Sequence, residues 1–156
     1  YKEYRALLTE EAVAEADPRA GRLVYEETCG TCHRMYGEGG LVGPDLTGSN
    51  RQNVDYILSN VLQPSATIQE DYRMVIVTTT GGRTLIGSIA NETESQLTLR
   101  VIGRGEVALP KSEIQSREVS ANSLMPTGLF ASLSESEILN LMAYLRTDEQ
   151  VPTPGD

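Results

Sequence analysis

The chain of 156 residues has no Trp, one Phe (Phe130), one His (His33) and two Cys (Cys29 and Cys32), and aromatics make up 5% of it. A domain this poor in large rings needs another source of core bulk. The apolar fraction of 39% nevertheless excludes a disordered chain. No apolar run approaches the ~20 residues a membrane helix requires, so no membrane span is expected. A secretory leader is also missing: the sequence opens on the mixed-charge Tyr1-Lys2-Glu3-Tyr4-Arg5, which reads as a mature form or a piece of a longer protein. Basic residues are the scarcer charge, 13 against 22 acidic for a net −9. Such a surface repels nucleic acid and anionic lipid and suits basic or mixed-charge partners, or it serves solubility alone.

All three of the rare metal-binding side chains lie together in Cys29-Gly30-Thr31-Cys32-His33. This C-x-x-C-H spacing is the attachment signature of c-type haem. The thiols add across the two vinyl groups of the porphyrin, and the adjacent histidine is placed beneath the iron as proximal ligand. The small Gly30 and Thr31 let the loop lie against the ring edge. A thioredoxin-like redox pair would want a βαβ setting, which is missing upstream. A structural zinc site needs four ligands, and no second Cys or His cluster exists to supply them. A structural disulfide across so short a loop would be reactive. One covalently attached haem c is therefore expected, and the buried porphyrin would supply the missing core bulk.

Along the chain, residues 1–16 read as a helix, either a linker from a preceding domain or an element packed on this one, with Tyr4, Leu7 and Leu8 at helical spacing. Asp17-Pro18 predicts an N-cap with proline at the first helical position, opening a helix that ends near Cys29. A Gly-rich loop follows over 37–48, then a short helix over 53–63 closed by Pro64. From residue 72 to 119 the pattern turns to period two, with Val75/Val77, Leu85/Ile89, Leu97/Leu99/Val101 and Val107/Leu109 separated by turn residues. Four or five short antiparallel strands are expected there. A final helix over 134–146 starts at a capping box, Ser134 to Glu137, and carries Ile138, Leu141, Met142 and Leu145 on one stripe. Residues 148–156 read as a tail.

The helical parts, about 17–64 and 122–147, resemble a class I cytochrome c. Gly21 and Tyr25 precede the attachment motif, and Leu141 and Tyr144 sit on the last helix, where the terminal helices of that family cross at a Gly/aromatic contact. With the strand-rich insertion, the chain is similar to the planctomycete-type haem-binding domain. The segments that carry this are Gly43-Pro44-Asp45-Leu46-Thr47-Gly48, Gln63-Pro64-Ser65-Ala66-Thr67-Ile68, Tyr72-Arg73-Met74 and Ser123-Leu124-Met125-Pro126. The resemblance implies a mainly α fold: the class I helical arrangement around one haem c over 17–147, with 72–119 inserted as a small β subdomain. It also implies export to the periplasm or beyond, often as a module behind a dehydrogenase or helical-repeat region.

For the iron, the spacing alone makes His33 the proximal ligand, and the resemblance makes the Pro44 carbonyl the acceptor of its second N–H. With no second His, a Met thioether is the expected protein donor on the other face. Met35 lies too near His33, Met142 belongs to an apolar stripe, and Met74 opens a strand where packing is the simpler role. The resemblance points to Met125, with Met74 or an open, exchangeable position as alternatives. Leu46, Leu58, Leu124 and Phe130 are candidates to pack the haem or simply the core. Arg51 and Arg73 are candidates to pair with its propionates or to remain solvated. The expected function is non-enzymatic transfer of single electrons to redox partners or a fused dehydrogenase. A gas or redox sensor is the alternative, and a peroxidase-like enzyme a weaker one because no distal His is present.

Overall fold

The computed structural model describes residues 1–66 and 72–155; Thr67 and Ile68 of the resembling segments, and Asp156, lie outside these. The N-terminal stretch forms two short helices, α1 (Lys2–Leu7) and α2 (Glu10–Glu15), instead of one. Thr9 is the reason. Its hydroxyl accepts from the Ala12 N–H at 3.1 Å and caps α2, and a capping residue takes extended backbone that ends the preceding helix. Both helices pack on the chain's main core, with Leu8 fully buried and Val13 6% exposed.

Helix α3 (Pro18–Thr28) starts as its sequence predicts, with Asp17 accepting from Arg19 N–H at 2.9 Å. Two-residue strands β1 (Arg34–Met35) and β2 (Glu38–Gly39) follow as a small hairpin. Helix α4 (Val54–Leu62) is capped by Asn53, and α5 (Glu135–Leu145) carries the full Ser134/Glu137 capping box. Helices α3 and α5 cross where α3 has no side chain: a Cβ on Gly21 would lie 1.8 Å from the Asn140 carbonyl oxygen and 2.9 Å from Tyr144 Cβ. Only glycine allows this approach. The Asp17 N–H donates to Asn140 Oδ1 at 3.0 Å, and the Tyr25 and Tyr144 rings meet at 5.3 Å.

Between α4 and α5 stands a five-stranded antiparallel sheet of β3 (Arg73–Thr79), β4 (Thr84–Glu92), β5 (Gln96–Val101), β6 (Gly105–Pro110) and β7 (Ile114–Ser123). Its order is β6-β5-β4-β3-β7, an open sheet in which the first strand pairs with the last. The period-two positions form its own core: Val75, Val77, Leu85, Leu97, Leu99, Val101 and Leu109 are all buried, with Ile89 and Val107 against them.

This corrects the mainly α expectation. Among the described residues the chain is 33% helical and 28% strand, a mixed α and β architecture. The helices are short because Thr9, Asp17, Asn53 and Ser134 each set a boundary by capping. The sheet, with a separate hydrophobic cluster, is comparable in weight to the helical part and not a minor decoration of it. Among the described residues no helix is long and apolar enough to cross a membrane.

Candidate functional site

The C-terminus of α3 delivers the motif. Cys29 caps the helix with its N–H on the Tyr25 carbonyl at 2.7 Å. The chain then folds back on itself, with Cys32 N–H and His33 N–H both donating to the Cys29 carbonyl, at 3.1 and 2.9 Å. Two thiols and one imidazole are thereby gathered on a single turn. Both cysteines are free and partly buried. Burial pushes the Cys29 thiol up, against a lowering contribution from the Thr28 hydroxyl, and burial likewise raises Cys32. A redox-active C-x-x-C pair is marked by a lowered pKa on its attacking thiol, and neither thiol is shifted that way here.

His33 Nδ1 lies 2.7 Å from the Pro44 carbonyl oxygen. A carbonyl only accepts, so Nδ1 carries the proton and Nε2 holds a lone pair. Burial lowers the imidazole's affinity for a second proton, outweighing the Pro44 bond, which raises it. The ring is kept neutral, the form that ligates metals. Its other flank is the backbone of Gly43, where a Cβ would come within 2.7 Å of Cε1 and 2.9 Å of Nδ1. Tyr25, whose phenol burial holds well above its ordinary range, donates to the His33 carbonyl at 3.2 Å.

These groups open onto one cavity of about 550 Å³, within the ~300–1,000 Å³ typical of ligand and cofactor sites. Cys29, Cys32, His33, Pro44, Leu46, Leu124 and Met125 all line it. Of the four methionines, all among the described residues, Met125 alone does so. Met35 and Met142 are buried in the helical core at 1% and 0% exposure, and Met74 sits on β3 away from the lining. Leu58 and Phe130 belong to the core instead, Phe130 edge-on to Tyr4 at 5.3 Å.

Of the two arginines, Arg73 keeps its expected solvated position and Arg51 takes a role the sequence did not suggest. Arg51 touches the cavity, but its guanidinium donates to the carbonyls of Leu46, Thr47, Leu145 and Thr147, at 2.6–3.0 Å. It fastens the loop after Pro44 to the end of α5. Arg73 is exposed on β3 and does not line the cavity. The sequence reading missed the wall from α4, where Ile57 and Val61 face the cavity with Tyr56 and Asn60 beside them. Two pairs spaced four apart on one short helix carry that signal. It also missed Val42 and Tyr72.

The residues present fit a porphyrin. Its walls are mainly apolar, two thiols stand at one edge, and a neutral, oriented imidazole faces in. Among the described residues no group of three or more His, Cys, Asp or Glu gathers as a metal-ion site, so a bare ion lacks a ligand set, whereas a macrocyclic metal needs only axial donors. A family model, Cytochrome c, matches residues 18–148. No curated protein matches the chain.

Proposed function

The chain belongs to the cytochrome c family, and from that premise we propose that it is a single-haem electron carrier ligated by His33 and Met125. Family membership makes it a haem c electron-carrying module. The finer assignments follow from the residues. Cys29 and Cys32 would hold the haem covalently as thioethers through its two vinyl groups. His33 Nε2 is the proximal donor. The Pro44 carbonyl fixes the imidazole's tautomer and tilt and raises its basicity, as partners of ligating histidines do. Met125 would supply the second protein ligand to the iron, and Leu46 would pack against the porphyrin.

Haem supplies reversible one-electron iron chemistry when bound. The protein's part is to hold both axial donors, so that no substrate reaches the metal, and to keep water out with apolar walls. Met/His ligation favours the reduced state relative to bis-His sites. Small, salt-sensitive encounters with redox partners suit an acidic protein of net charge −9. An exported location, a place beside or fused to a dehydrogenase, and affinity with the planctomycete-type branch complete the reading. Within it, 17–147 is the haem-binding unit and 72–119 its insertion.

The observation that supports it best is the convergence of both thiols, the imidazole and one methionine of four on a single cavity. The test is Met125→Ala in the haem-loaded protein. The expected result is loss of the Met–iron charge-transfer absorption and a lower reduction potential. An unchanged spectrum and potential would refute the ligand assignment, and a wild-type mass equal to the bare polypeptide would refute the reading as a whole.

A further inference from the structure

Ser88 is a hydroxyl at 0% exposure on β4, the middle strand of the sheet, and it points out of the sheet toward Val42. It donates to the Val42 carbonyl at 3.0 Å. Arg100, its directly opposed neighbour on β5, donates to the same hydroxyl oxygen at 3.1 Å. The Arg100 guanidinium also lies over the Tyr72 ring, 4.6 Å from its centre, and Tyr72 lines the cavity.

The Val42 carbonyl and the Gly43 N–H belong to one planar peptide unit. The sheet grips its oxygen through Ser88, and the motif grips its nitrogen, because Gly43 N–H donates to the Cys32 carbonyl at 2.7 Å. Gly43 itself lies against the His33 ring, and Pro44 supplies the carbonyl that His33 Nδ1 donates to. A peptide pinned at both ends cannot rotate without breaking a bond. Resting on the haem reading above, we propose that Ser88, held by Arg100, is a positioning residue for the proximal histidine: it locks the Val42–Gly43 peptide and so fixes the Pro44 carbonyl against His33 Nδ1–H. The inserted sheet then has a defined part in tuning the iron, exerted through the loop that carries Pro44.

Ser88→Ala keeps the size of the side chain nearly unchanged and removes only the hydroxyl. The experiment is residue-resolved hydrogen exchange by NMR on the reduced, haem-loaded protein, together with its reduction potential. One net hydrogen bond lost from the loop predicts exchange of the Gly43 amide faster by about tenfold, while the Leu97 and Leu99 amides in the sheet keep their protection. A less fixed Pro44 acceptor lowers imidazole basicity, so the potential rises. Ser88→Thr, which retains the hydroxyl, restores slow Gly43 exchange and the wild-type potential. If Ser88→Ala leaves Gly43 exchange and the potential unchanged, the proposal is overturned. Uniform loss of protection through sheet and helices also overturns it, since Ser88 would then serve stability alone. Failure of the haem reading is separately visible, as a wild-type protein without the haem mass.

Discussion

Replacing Gly21 by alanine sets two effects of opposite sign against each other, and the structure decides between them. Intrinsic helix propensity favours alanine over glycine in a helix interior by about 1 kcal/mol. On that ground alone the variant would melt higher. The α3–α5 crossing opposes it. The new Cβ would stand 1.8 Å from Asn140 O and 2.4 Å from Asn140 C, and both are backbone atoms that no rotamer change can move. Reaching ordinary contact requires the helices to part by about 1.5 Å.

That separation acts on the best-packed part of the molecule. Val24, Tyr25, Ile138, Leu141, Tyr144 and Leu145 are each 9% exposed or less and belong to the same cluster. Overpacking costs about 1–3 kcal/mol and more where the backbone must shift, and a weakened Tyr25–Tyr144 contact adds about 0.5–1.5 kcal/mol. After the propensity gain, a net loss of about 0.5–3.5 kcal/mol remains. At this chain length each kcal/mol moves the melting temperature by about 2–4 °C, so a fall of about 1–14 °C is expected. Thermal unfolding followed by circular dichroism, on haem-loaded protein for both variants, measures it. A Gly21→Ala protein that melts at or above the wild type would show that the crossing does not depend on close backbone approach.

Two further substitutions probe the site itself. Gly43→Ala places a methyl within 2.7 Å of the His33 ring, which the Pro44 bond prevents from swinging away; weakened iron ligation is expected, seen as a shifted absorption spectrum, and a wild-type spectrum would refute the packing argument. Arg51→Ala removes the tie from Leu46 and Thr47 to Leu145 and Thr147, with an expected loss of about 2 kcal/mol; Arg51→Lys recovers only part of it, because an ammonium cannot match a planar fork, and full recovery by lysine would refute the geometric reading.

The parts of this architecture that were legible before the structure share a property: their signal is local. Asp17-Pro18, Asn53 and Ser134-to-Glu137 mark helix starts within four residues, and alternation at Val75/Val77 and Leu97/Leu99 marks which side of a strand is buried. The C-x-x-C-H turn is local too. What stayed hidden depends on partners far away in the chain. Arg51 looks like a surface cation or an anion partner until the end of α5 is folded against it, 94 residues on. Ser88 looks like an outward polar residue in a strand until Val42 arrives, 46 residues away. The overall balance of helix and strand was misjudged for a related reason. A resemblance concentrated in the helices gave them more weight than their lengths of 6–11 residues support.

The strand-rich segment poses a mechanical problem that its topology answers. The 62 residues between α4 and Met125 would, as flexible chain, leave that methionine on a long tether, with a closure cost that grows with loop length. In this sheet the first strand pairs with the last. Arg73 opposes Ser123, so chain entry and exit are separated only by the spacing of adjacent strands, about 5 Å. Ser65, just after α4, accepts from the Ser123 N–H at 3.1 Å, and the Ser123 hydroxyl accepts from Met125 N–H at 3.1 Å. The loop that carries Met125 therefore begins at a point fixed to both α4 and β3. Because β3 and β4 are paired through Val75 and Gly87, the same sheet reaches from that point to Ser88 and the loop under His33. A segment built this way adds length to the sequence without adding slack to the cavity.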